Sequence, residues 1–134
     1  MSMEATAQQQ EPMRESAARF IEQHARPLEL AQYRVFFAED DPNEVVEALL
    51  PFQNADGGFG HALEPDNWNP DSTPITTNDA LLRLYDAGAL DLNSDTAKRI
   101  AQYLLSGTEF DPHAMRWRFA VSGNIDHPHA IWWE

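Results

Sequence analysis

The sequence contains no cysteine, and this absence excludes two kinds of chemistry. No disulfide can stabilise the fold, and no thiolate can bind a metal ion or attack a substrate. Basic residues are scarce too: 9 lysines and arginines stand against 22 aspartates and glutamates, for a formal net charge of -13. Because such a chain repels phosphate groups, we expect neither nucleic acid nor an anionic membrane as a partner.

Long apolar runs are also missing. No segment approaches the roughly 18 apolar residues that suggest a membrane span, and the first residues, MSMEATAQQQEP, lack the basic flank and apolar core of a secretory signal. We therefore expect a cytoplasmic protein without a membrane span. The chain has 134 residues, of which 43% are hydrophobic, and this is enough for one domain with a modest core.

Apolar residues at helical spacing predict five helices, and no segment shows the period of two that indicates a strand. The first predicted helix spans about Met13 to His24, and Ser94 is the predicted N-cap of the fifth. We divide the chain into a flexible leader over residues 1–12, a helical region over residues 13–107 and a loop-rich aromatic tail over residues 108–134.

The most informative stretch is QNADGGFG, at residues 53–60. Gly57 and Gly58 permit positive φ angles and a tight reversal of the chain. Asp56 can accept hydrogen bonds from amides within such a turn, and Gln53 can reach the unpaired groups at a helix end. An aromatic side chain at Phe59 would then fix the turn in place.

QNADGGFG resembles the repeat of the protein prenyltransferases and squalene cyclases, and the following DSTP and TTNDALLRLYDAG are similar to the helix after each repeat. Together with HPHAIWW, these stretches look most like a group of uncharacterised bacterial proteins related to those enzymes. The resemblance implies an all-α fold of the α/α-toroid type, a ring of helical hairpins. A full ring needs roughly 220 residues, so we expect about half a ring, the N-terminal half of a longer protein.

Two carboxylates, Glu64 and Asp66, lie in the long connection after this turn. Beside His61 and Trp68, they could act as general acid and base on a sugar or polyol, with His61 and Trp68 binding the ligand and the indole serving as a stacking platform. The alternative is ordinary loop hydrogen bonding and solvated charge. The acidic stretch AEDDPN is better explained by helix capping, since Asp41 precedes Pro42.

The C-terminal tail carries side chains of the types that bind borderline divalent metals: Asp111, His113, Asp126, His127 and His129. Their spacing supplies one HxH pair but no complete ligand set. We expect no metal and no other cofactor, and we interpret HPHAIWW as a turn followed by an aromatic anchor.

Two functions remain open at this point. The first is a binding or assembly module without catalysis. The alternative is an enzyme of the terpenoid-cyclase or prenyltransferase-like superfamily, or a carbohydrate-active toroid enzyme that uses Glu64 and Asp66. For either we expect a small uncharged ligand such as a sugar or an isoprenoid.

We also expect a homodimer in which Trp132, Trp133 and the outer face of the first helix cover the open flanks of the half-ring. The competing expectation is a monomer whose tail folds back over the open flank.

Overall fold

The computed structural model describes the backbone of residues 3–134 and the side chains of residues 12–134. Of the leader predicted over residues 1–12, residues 1 and 2 lie outside the described backbone. Helix α1 already begins at Met3, well before the predicted start at Met13. The five α-helices are α1 (Met3–His24), α2 (Pro27–Phe37), α3 (Asn43–Leu49), α4 (Pro74–Asp86) and α5 (Asp95–Leu105).

Local capping signals fix where the later helices begin. The Thr73 hydroxyl accepts a hydrogen bond from the amide of Thr76 at 3.1 Å, directly ahead of Pro74. Ser94 caps α5 in the same way through the amide of Ala97 at 3.1 Å. Each cap satisfies one of the amides that the first turn of a helix leaves unpaired. The Ser94 N-cap is the one that the sequence predicts.

The core forms where α2, α3 and α4 meet, and it continues to α5 and to the segment that links α3 with α4. Its members are buried aliphatic side chains and one phenylalanine: Leu28, Ala31, Val45, Leu49, Phe59, Leu63, Ala80, Leu84, Ala87 and Ile100. Phe59 and Leu63 come from the linking segment, which contains one short 3₁₀ helix, Leu50–Phe52, and no α-helix. This segment is therefore an integral part of the core.

A small β-hairpin follows α5. Strand β1 (Phe110–Asp111) pairs antiparallel with β2 (Arg116–Trp117), and Phe110 lies opposite Trp117. The two aromatic rings meet edge to face, with centroids 5.0 Å apart. The Asp111 carboxylate closes the turn by accepting the amides of His113 at 2.9 Å and Ala114 at 3.1 Å.

The predicted fold class, an all-α toroid of about half a ring, is wrong. Residues 3–134 form five α-helices and a two-stranded antiparallel sheet. A ring of hairpins requires successive helices of similar length joined by short links, whereas α3 spans 7 residues and the link from α3 to α4 covers residues 50–73 without an α-helix. The strands were missed because two residues are too few to show a period of two.

No helix within residues 3–134 combines the length and the apolar character that crossing a bilayer requires.

Candidate functional site

The QNADGGFG stretch forms a closed turn. The amide of Asn54 donates to the carbonyl of Gly58 at 2.8 Å. The Asp56 carboxylate accepts the amide of Gly58 at 3.0 Å and the hydroxyl of Ser72 at 2.6 Å. Phe59, fully buried, pairs through its backbone with Gln53 on one side and Thr73 on the other. The turn thus connects the end of α3 to the start of α4.

The glycines of this turn meet different constraints. Gly57 has a φ of +93°, and a Cβ atom built there would lie 2.1 Å from the carbonyl oxygen of Arg99 on α5. Gly58 does not have a positive φ, but its Cβ would lie 2.5 Å from the Cβ of Ser72 and 2.9 Å from Cδ2 of Tyr103. Glycine is therefore required at position 57 both by the positive φ and by the nearby backbone of α5. At position 58 it is required only by the nearby side chains of Ser72 and Tyr103.

Hydrogen bonds also tie the turn to α5. The Gln53 side-chain amide donates to the carbonyl of Gly57 at 3.0 Å and to that of Thr96 at 3.4 Å. Arg99 donates to the carbonyl of Asn54 at 2.6 Å. Every predicted turn residue is thus used in contacts within the protein, which indicates a structural role for this motif.

The loop after the turn is strained at its start. His61 and Ala62 have φ angles of +55° and +60°, which non-glycine residues seldom adopt. Arg26 compensates by donating to the carbonyls of Ala62 at 2.7 Å and Leu63 at 3.1 Å. The exposed His61 ring lies 2.7 Å from the side-chain oxygen of Asn54. His61 therefore contacts the turn.

Glu64 lies in a charged cluster between α2 and α4. Burial raises the pKa of its carboxyl group, and the Asp79 and Asp66 carboxylates raise it further, while Arg83 and Arg26 partly offset these effects. Arg83 itself donates to Asp79 at 2.6 Å. Within the described residues, Glu64 has no side-chain hydrogen bond, so the two arginines favour its charged form only through longer-range attraction.

Asp66 faces the opposite end of the chain. One of its carboxylate oxygens accepts the indole N–H of Trp133 at 3.0 Å, and the other accepts that of Trp132 at 3.1 Å. Its backbone carbonyl accepts the amide of Ala130 at 2.8 Å. Both carboxylate oxygens thus hold the C-terminal tail, and neither of these hydrogen bonds involves Glu64.

Trp68 lies on the surface beside this junction, with 59% of its area exposed. Its indole N–H donates to the carbonyl of Pro65 at 3.0 Å, and its amide donates to the carbonyl of Pro128 at 2.9 Å. The polar edge of the ring is therefore occupied within the protein.

Three buried asparagines behind Trp68 were not anticipated from the sequence. The side-chain oxygen of Asn124 accepts the amides of Asn67 at 3.2 Å and Asn69 at 3.0 Å, and its own amide donates to the carbonyl of Trp133 at 2.9 Å. Buried amides are costly unless they are paired, and these are. The network fixes the tail against the loop, and the alternation N-x-N at positions 67 and 69 was its only signal in the sequence.

The possible metal ligands of the tail do not converge. Within the described part of the chain, no three histidine, aspartate or glutamate side chains are placed to hold one ion. Asp111 binds the amides of its own turn, and the His129 ring lies 2.6 Å from the carbonyl of His127. Asp111 thus serves the hairpin turn, and His129 contacts its own neighbouring backbone.

An apolar concave site lies elsewhere, between α4, α5 and the segment that begins with β2. It is a groove of about 300 Å³. Its walls are mainly apolar and aromatic: Pro74, Ile75, Leu81, Leu104, Trp117 and Phe119. The polar side chains on its lining are Thr77, Asn78 and Arg118. The groove could not be predicted from the sequence, because α4 and the β2 segment lie more than thirty residues apart in the chain.

Comparisons with protein-family models, with curated proteins and with solved structures each found no match to this chain. The resemblance to the prenyltransferase and squalene-cyclase repeat therefore stays a prediction from the quoted motifs.

Proposed function

We propose that this chain is a binding module that takes a small, largely apolar ligand in the groove between α4, α5 and the β2 segment. The groove itself carries this proposal. Ligand sites are typically concave, about 300–1,000 Å³ in volume and lined by apolar and aromatic side chains with a few polar groups. The groove has this composition and lies at the lower end of that range, at about 300 Å³.

The lining also favours one of the expected ligand classes over the other. Trp117 and Phe119 come from the tail, while Ile75 and Leu81 come from α4. Burying apolar ligand surface between such walls is favourable, whereas sugar hydroxyls would lose water without enough partners. An aromatic or isoprenoid-like body suits this groove better than a sugar.

The geometry gives less support to the alternative of an enzyme that uses Glu64 and Asp66. A general acid and base must both reach the reacting group of one substrate. Asp66 instead binds Trp132 and Trp133, and Glu64 faces the cluster between α2 and α4.

Ligand binding can be tested by filling the groove. Asn78 is exposed and lines the groove, so Asn78→Trp should occupy the space without disturbing the core. Leu105→Trp is the matched control, since Leu105 is 86% exposed and lies next to Leu104 without belonging to the lining. The uncharged fluorophore N-phenylnaphthylamine is the probe.

We expect the unmodified protein and Leu105→Trp to enhance the emission of the probe equally, and Asn78→Trp to weaken its binding by about tenfold or more, because the apolar contact area is lost. Equal binding by all three proteins, or by none, would contradict the proposal.

Self-association stays a prediction as well. Trp133 was expected in the dimer contact, but it is buried within one chain and stacks on Phe119 with ring centroids 5.2 Å apart.

Two other aromatic side chains are available for such a contact. Trp132 is 61% exposed, and Phe20 on α1 is 63% exposed. We propose a dimer that covers these two side chains. Light scattering on a sizing column should give about twice the 15.2 kDa of one chain, and Trp132→Ser should shift the mass towards one chain. A mass of one chain throughout would contradict it.

A further inference from the structure

Among residues 12–134, Arg118 is the one positively charged side chain on the lining of the groove. Its backbone amide is fixed to the carbonyl of Glu109 at 2.9 Å, beside β2. Its guanidinium forms an ion pair with the Glu109 carboxylate at 3.7 Å, and 62% of the Arg118 side chain is exposed. This separation exceeds hydrogen-bond length, so within residues 12–134 no side-chain hydrogen bond occupies the donors of Arg118.

The other two polar side chains on the lining differ in whether the protein itself occupies their hydrogen-bonding groups. The Thr77 hydroxyl accepts the amide of Phe59 at 3.0 Å and donates to the carbonyl of Thr73 at 2.7 Å. The exposed Asn78 amide makes no side-chain hydrogen bond within residues 12–134. A ligand in the groove thus meets apolar walls, one guanidinium and one amide, both of which can donate.

Resting on the proposed function, we infer that the ligand carries a single carboxylate group, which Arg118 binds while the apolar body lies in the groove. A guanidinium offers two parallel N–H donors that match the two oxygens of a carboxylate. The net charge of -13 opposes ligands with several negative charges much more than a single one. The ligand class is therefore a small aromatic or aliphatic monocarboxylic acid.

Two ligands with the same ring system test this inference: naphthaleneacetic acid, ionised at neutral pH, and naphthaleneethanol, which is uncharged. Their affinities are measured by calorimetry for the unmodified chain, Arg118→Gln, Arg118→Lys and Arg116→Gln. Arg116 does not belong to the lining, and Arg116→Gln changes the net charge by the same amount as Arg118→Gln. It is therefore a matched control for long-range electrostatics.

We expect the acid to bind more tightly than the alcohol. Arg118→Gln should weaken acid binding by about tenfold, because a charged hydrogen bond is lost, and should leave the alcohol within about twofold. Arg118→Lys keeps the charge but loses the paired donors, so its affinity for the acid should lie between those of the unmodified chain and Arg118→Gln. Arg116→Gln should change the affinity for the acid little.

Equal affinities for acid and alcohol, or equal losses from Arg116→Gln and Arg118→Gln, would overturn the carboxylate inference while leaving an apolar groove that binds ligands. Absence of binding by both compounds would overturn the inference and the proposed function together. Retained affinity for the alcohol in Arg118→Gln shows that the variant keeps its groove.

Discussion

Gly57→Ala should lower the free energy of unfolding by about 3–5 kcal/mol, because it combines backbone strain with overpacking. Gly57 has a φ of +93°, and the new Cβ would lie 2.1 Å from the carbonyl oxygen of Arg99. That oxygen belongs to the backbone of α5 and cannot move aside by a side-chain rotation. Urea unfolding followed by circular dichroism measures the loss.

Gly107→Ala separates the two causes. Gly107 has a φ of +70°, but a Cβ atom there would meet no atom within 4 Å. Only the conformational penalty applies, so we expect a loss of about 1–2 kcal/mol. If both variants lose the same small amount of unfolding free energy, the turn does not approach α5 closely. The structural role assigned to the motif would then be contradicted.

Signals confined to a few residues predicted the structure well. Ser94 lies three residues before the amide that it caps, and Thr73 caps the amide of Thr76. Asp56 binds the amide of Gly58 within its own turn. In each case the partner lies within a few positions of the chain, so residue type and spacing are enough to indicate the contact.

The same motif gave the wrong fold class because a local turn does not determine what packs around it. In this chain the turn leads into a loop that pairs with the tail, as in the bridge between Asn67 and His129. Nothing in the apolar spacing of either segment encodes a partner about sixty residues away. Fold-level analogy from one repeat carries that risk.

The candidate site at Glu64 and Asp66 stays a prediction, and the structure gives the two side chains different contacts. Glu64 and Asp66 lie two positions apart, and their spacing suggested that both serve one substrate. The chain turns between them, so that Glu64 packs near α2 and α4 while Asp66 binds the two indoles. The groove, in contrast, joins residues from α4, α5 and the tail, and only the folded chain brings them together.

Asp66→Asn is the variant that should release the tail. An asparagine keeps one acceptor oxygen, and its amide group would meet the second indole N–H, donor against donor. The N–H of the buried Trp133 or that of Trp132 then loses its partner, together with the negative charge that strengthens both bonds. We expect a loss of about 2–4 kcal/mol in the free energy of unfolding and faster tryptic cleavage after Arg116 and Arg118.

Glu64→Gln is the matched control, since it makes the same chemical change two residues away. Burial raises the pKa of Glu64, so ionisation costs folded stability as the pH rises above the ordinary value of 4.5. The amide does not ionise, and Glu64→Gln should therefore be slightly more stable than the unmodified chain at neutral pH, with the difference vanishing in acid. Opposite signs for the two amide variants at neutral pH would support separate roles for these carboxylates. Equal stability of Asp66→Asn and the unmodified chain, with an unchanged cleavage rate, would show that Asp66 does not hold the tail.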